Sequence, residues 1–169
     1  MDNFVPLHHM KTGFKLFKAV LFIVITGAII SSCMKRPEYP NYPIIKYKAF
    51  IPEGDSAKLI FEFTDGDGDI GLRPEDTIPP YDANLFLKYY EQREGTFVEI
   101  EPIIPFNYRI PDISRKGKIK TLEGEIMVRI NYYYDFASPY DTIKYSAYIV
   151  DRALNKSNVI ETEPIVVQK

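Results

Sequence analysis

Apolar and polar residues alternate in short stretches along most of this chain. In Ala57 to Thr64, Leu59, Phe61 and Phe63 fall on one side, with Lys58 and Glu62 on the other. That period of two is the signature of a half-buried β-strand. A second alternating run lies within Lys118 to Asn131, where Ile126, Val128 and Ile130 oppose Glu125, Met127 and Arg129. Further stretches rich in β-branched and aromatic residues run over Ile44–Ile51, Asn84–Glu91, Phe97–Glu101, Thr142–Val150 and Val159–Val167. Turn clusters separate them, among them Pro52-Glu53-Gly54-Asp55 and a hairpin turn around Glu94-Gly95. Beyond the first thirty residues or so, no stretch holds apolar residues at helical spacing for three turns. The pattern predicts an all-β domain over residues 44–169, a single sandwich of about seven strands.

The N-terminal part is of another kind. Lys11, Lys15 and Lys18 precede a twelve-residue apolar run, Ala19 to Ile30. A bilayer-spanning helix needs about 20 residues, so this length suits the apolar core of a signal peptide. The run closes on Ile30-Ser31-Ser32-Cys33, and this resembles the lipobox of bacterial lipoproteins. The resemblance implies cleavage before Cys33, acylation of that cysteine with fatty chains such as palmitate, and a membrane-anchored protein. Residues 1–32 are then a signal peptide, whose true start is Met10 if the first nine residues are an over-long gene start. Residues 33–43, with Pro37, Pro40 and Pro43 at every third position, read as an extended tether. Some Bacteroidota surface lipoproteins carry an acidic run just after the cysteine, and MKRPEYP lacks it. That implies the outer membrane, facing the periplasm, and leaves surface exposure open.

Composition narrows the chemistry. The chain has 169 residues, 21 Lys+Arg against 23 Asp+Glu, and one cysteine. A net charge of −2 argues against a nucleic-acid partner, which selects a basic excess. Both histidines, His8 and His9, lie ahead of the cleavage point. The mature chain would therefore have no imidazole and no free thiol, which excludes Ser-His, Cys-His and His-metal catalysis.

Near the C-terminus, DTIKYSAYIVDRALNKSNVIETEPIVV is similar to the final hairpin of immunoglobulin-like and fibronectin type III modules. The resemblance places Tyr145, Ala147 and Ile149 in the core and Asp151 to Asn158 in the turn. Leu154 stands where the turn usually has glycine.

Thr64-Asp65-Gly66-Asp67-Gly68-Asp69-Ile70-Gly71 is the most informative local feature. Three carboxylates two residues apart in a glycine-rich loop suit a hard, oxygen-seeking cation such as Ca²⁺, at the weak affinity of extracellular modules. Asp65, Asp67 and Asp69 match positions one, three and five of an EF-hand, and the Gly71 carbonyl falls at seven. Position six is Ile70 rather than glycine, and position twelve is Asp76 rather than glutamate, so the loop is not an EF-hand. Asp65, Asp67, Asp69, Gly71 and Asp76 make up the expected metal set; the alternative is an ion-free Asp/Gly turn. FTDGDGDIG also resembles a recurrent signature of Bacteroidota lipoproteins, which carries no activity with it.

A second cluster, Tyr132, Tyr133, Tyr134, Phe136 and Tyr140, is a candidate platform for a sugar ring or a protein partner; the alternative is a cap on the core. Arg115, Lys116, Lys118 and Lys120 form a small basic patch. Glu99/Glu101 and Glu123/Glu125 are carboxylate pairs at strand spacing, the minimum that a glycosidase would need. The leading expectation is a lipid-anchored, non-enzymatic envelope module that binds a protein or polysaccharide. The alternative is a carbohydrate-binding accessory lipoprotein using the tyrosines.

Overall fold

The computed structural model describes residues 38–54, 56–114, 120–131 and 138–167, together with Lys18. The chain divides into two units, Met1–Pro37 and Glu38–Lys169. Cys33 and, apart from Lys18, the signal-like segment fall outside the described residues, as do Tyr132, Tyr133, Tyr134 and Phe136.

The second unit is an all-β sandwich of two antiparallel sheets. Its strands are β1 (Ile44–Glu53), β2 (Ser56–Asp65), β3 (Leu85–Arg93), β4 (Thr96–Ile100), β5 (Phe106–Tyr108), β6 (Leu122–Asn131), β7 (Thr142–Ile149), β8 (Ile160–Glu161) and β9 (Ile165–Val166). One sheet has the order β1-β2-β6; the other runs β4-β3-β7-β8, with β5 also on β3 and β9 also on β7. Neighbours in sequence thus change sheets between β2 and β3, β5 and β6, and β6 and β7. The chain thus crosses between the two layers three times, as a β-sandwich with non-local strand pairing requires.

The alternating stretches form the faces expected of them. Leu59 and Phe61 are buried while Glu62 faces solvent, and Ile130 is buried while Met127 is exposed. Tyr145, Ala147 and Ile149 are all in the core, beside Leu85, Leu87 and Tyr89 of β3. Tyr145 joins the two layers: its ring lies 5.5 Å from Phe50 of β1, 5.6 Å from Tyr89 and 5.9 Å from Phe106. On the outer face of the first sheet, cross-strand ion pairs such as Lys46–Glu62, Lys48–Glu125 and Arg129–Glu53 keep the surface solvated.

The strand count exceeds the sequence expectation because proline cuts two strands short. β4 and β5 occupy the same edge of β3, at Tyr89–Arg93 and Leu85–Leu87 respectively. Pro102-Ile103-Ile104-Pro105 separates them, since proline cannot donate to a ladder. The expected last strand, 159–167, is likewise two pieces flanking Pro164, with a one-residue change of register against β7. Side chains fill the gaps. Thr162 Oγ1 accepts from the Tyr145 amide, and Ser157 Oγ from the Ile149 amide. The Asn158 amide pairs with both backbone groups of Ile45, clasping β1 to the opposite layer.

The two-residue turn at Glu94-Gly95 has positive φ at both positions, 49° and 80°, as a twisted hairpin prefers. Leu154 also takes a left-handed φ, 66°, with its side chain half in solvent. That conformation costs an ordinary residue about 1–2 kcal/mol, and asparagine tolerates it better without the extra unfolded-state entropy of glycine. Leu154→Asn should therefore stabilise the fold by about 0.5–1 kcal/mol, read as a higher urea midpoint; a lower midpoint would show that the leucine side chain packs productively.

Candidate metal centre

The Asp/Gly loop leaves the end of β2 and is pressed from three sides at one pole of the sandwich. A Cβ at Gly68, where φ is +66°, would lie 1.8 Å from the Lys120 carbonyl oxygen, and one at Gly66 would lie 2.3 Å from that of Tyr39. These glycines are what lets backbone approach so closely. Ile70 and Leu72 plug the loop into the core, and Leu72 bridges to Pro111. The residue that breaks the EF-hand pattern, Ile70, is thus a fully buried anchor.

This packing turns the carboxylates inward. Asp65 is fully buried, Asp67 and Asp69 are half-buried, and Asp151, from the turn after β7, is also buried. One carboxylate oxygen each from Asp65, Asp69 and Asp151 lie within 4.8 Å of one another. That is the span of two Ca–O bonds of about 2.4 Å placed across one ion. Oδ1 of Asp65, Asp67 and Asp69 are each enclosed and reached by no hydrogen-bond donor. Among the described residues, none of the four aspartates forms a salt bridge. Buried charge without a partner is costly, and a protein normally neutralises it by a proton, a counter-charge or an ion.

The electrostatics follow from this crowding. Burial, then the charges of Asp67 and Asp69, push the Asp65 carboxyl up to about 7. Asp69 is raised as well, by burial first and then by Asp151 and Asp67; the Ala153 amide and Arg152 pull the other way. Asp65 Oδ2 accepts from the Asp69 amide at 3.0 Å, and both oxygens of Asp151 accept from Asn155.

The expected metal set is therefore only partly brought together. Asp65 and Asp69 share one cluster with Asp151, Asp67 acts on both as a nearby charge, and Gly71 packs against Pro111 and Asp112. Asp76 is engaged elsewhere: its Oδ2 accepts from the Arg73 amide at 2.8 Å and from Arg152 Nη1 at 2.5 Å. These bonds lower its pKa, the Arg73 amide contributing most. Its loop is stapled further by Arg109, which donates to the carbonyls of Arg73, Asp76, Tyr81 and Asp82. Asp151 takes the place that Asp76 was expected to fill. Only its position at the start of a polar turn marked it in the sequence, and the cross-layer topology supplies the rest.

No known protein family, curated protein or solved structure matches the chain. The geometry therefore stands by itself.

Of the aromatic cluster, Tyr140 is described, with the Arg93 guanidinium 5.1 Å from its ring centre; Arg93 also forks onto the buried Glu91. Of the basic patch, Lys120 is described and exposed. Three of the four glutamates considered for glycoside hydrolysis have other engagements: Glu99 pairs with Lys88, Glu125 with Lys48, and Glu123 accepts from the Tyr39 hydroxyl.

The chain leading into β1 docks at the same pole. The Gly66 amide donates to the Pro40 carbonyl at 2.8 Å, and Asn155 Nδ2 donates to the Asn41 carbonyl at 3.1 Å. Residues 39–41, expected within the tether, are part of the folded unit.

Proposed function

We propose that this chain is a lipid-tethered, non-enzymatic binding or assembly module of the bacterial cell envelope. The observation that carries the reading is the docking of residues 39–41 at the carboxylate pole. With Cys33 acylated, only five residues, 34–38, separate the anchor from the docked segment, and five residues span about 20 Å at most. The module would then work close to its bilayer, as a fixed fitting rather than a probe on a long leash. Two or more acyl chains make such attachment durable, whereas one gives only marginal binding.

The surface supports a contact with another envelope protein rather than catalysis. Ile103 and Ile104 are 102% and 79% exposed, between two prolines that hold them out from the sheet edge. An isolated protein gains nothing from presenting two large aliphatic side chains to water, whereas a partner's pocket does.

Two measurements test the reading. Labelled palmitate should enter the wild-type chain in its native host and be absent from Cys33→Ser; equal labelling of both would end the tether argument. Affinity purification from those membranes should recover a partner with wild-type protein, and Ile103→Asn/Ile104→Asn should lower its yield at least tenfold. An unchanged yield would remove the tip from the contact.

A further inference from the structure

Four carboxylates at one pole are more than the surrounding protein satisfies. The amides of Asp69, Ala153 and Asn155 and the side chain of Asn155 serve part of the set. Three enclosed oxygens, one on each aspartate of the loop, remain without a donor. The decisive member is Asp65, fully buried, with Oδ1 unpartnered beside Asp69 and Asp151. A proton satisfies one oxygen at a time and leaves its neighbours facing each other. A cation accepting six to eight oxygens satisfies all of them at once.

We propose that Asp65, Asp67, Asp69 and Asp151 bind Ca²⁺, and that the bound ion latches residues 39–41 onto the sandwich. Ca²⁺ fits better than Mg²⁺ because the donors come from an irregular loop and a distant turn. Mg²⁺ demands compact octahedral geometry and retains its waters, whereas Ca²⁺ accepts a loose all-oxygen cage.

The latch follows from which residues hold the incoming chain. Gly66, whose amide grips Pro40, is covalently next to Asp65. Asn155, whose side-chain amide grips Asn41, is fixed by three bonds to Asp151: its amide and Nδ2 donate to the carboxylate, and its carbonyl accepts from the Asp151 amide. Each grip is thus made by a residue bonded directly to a proposed ligand, Gly66 covalently to Asp65 and Asn155 by hydrogen bonds to Asp151. Drawing Asp65 and Asp151 towards one ion sets both at once, and mutual repulsion without it loosens both. The ion would therefore govern how much chain is free between the sandwich and whatever precedes it.

The test uses the full-length protein in detergent, with Ca²⁺, with Mg²⁺ and with EDTA. At 10 mM, on the order of ten times the dissociation constant of a weak extracellular site, Ca²⁺ should raise the melting temperature by about 5 °C or more over EDTA. Mg²⁺ should do much less. Ca²⁺ should also slow hydrogen exchange of the Gly66 amide, which donates to the Pro40 carbonyl, at least tenfold. Asp65→Asn should invert the order: above wild type in EDTA, because a repelling charge is gone, and below it in Ca²⁺. Asp67→Asn gives the same reading if Asp65→Asn does not fold. Asp76→Asn should keep the full Ca²⁺ response. Equal melting in EDTA and Ca²⁺, or a Ca²⁺ response surviving in both Asp65→Asn and Asp69→Asn, overturns the site. An equal response to Mg²⁺ overturns the choice of ion. Ca²⁺ binding with unaltered exchange at Gly66 overturns the latch.

Discussion

Stripped of divalent cations, the protein should lose about 2–3 kcal/mol of stability as the pH is raised from 5 to 7.5. The unusual sign comes from Asp65. Its carboxyl titrates at about 7 in the folded protein, against 3.8 for an ordinary aspartate. Below pH 4 both states hold the proton and the group has no effect on stability. Between 4 and 7 the unfolded chain releases it while the folded chain retains it, so each pH unit favours unfolding by about 1.4 kcal/mol. Above 7 both are ionised and the curve levels off. Asp69, also raised, adds in the same direction. Asp76 and Asp112 are lowered instead, Asp112 chiefly by its hydrogen bonds to Ser114. Their stabilisation is lost only as pH falls below the usual carboxylate range, so they shape the acid limb and not this window. Urea unfolding in chelator at constant ionic strength measures it; a midpoint that is flat or rises between pH 5 and 7.5 contradicts the burial of Asp65. With Ca²⁺ in excess the slope should disappear, because an ion-bound carboxylate stays ionised.

Tyr145→Ala should cost about 4 kcal/mol, the largest effect of any single core truncation expected here. The side chain is fully buried, and its ring meets aromatic partners from β1, β3 and β5. Removing it opens a cavity that both layers share, and packed layers close such voids only partly. Phe86→Ala is the useful contrast. Phe86 stacks on Tyr148 on the outer face of the same sheet and is half-buried, so its loss should cost about 1–1.5 kcal/mol. Guanidinium unfolding of the two variants separates them, and equal costs would mean that Tyr145 does not join the layers.

The architecture could be read in the sequence wherever one side of a strand meets water. β2, β6 and β7 announce themselves because Leu59/Phe61, Val128/Ile130 and Tyr145/Ala147 alternate with polar neighbours. β5 was hidden because Pro102 and Pro105 give its surroundings the look of a connection, and periodicity says nothing over three residues. The divided last strand was hidden for a related reason: Pro164 looks tolerable at an edge until the register on both sides is known. At the acidic pole, local spacing grouped Asp65, Asp67 and Asp69 because they share one loop. It could not find Asp151, which reaches them through strand order alone. It also grouped Asp76 with them, whereas the Arg73 amide and the Arg152 guanidinium engage that carboxylate, and such capture leaves no trace in spacing.

The interrupted rim formed by β4 and β5 bears on crowding. A continuous border strand is a template on which an identical molecule can zip itself, and repeated zipping ends in fibres. Here two prolines and a pair of outward isoleucines break that border midway, so a neighbour arriving there finds no uniform row of amides to copy. Molecules packed at high density can therefore jostle along that side without polymerising.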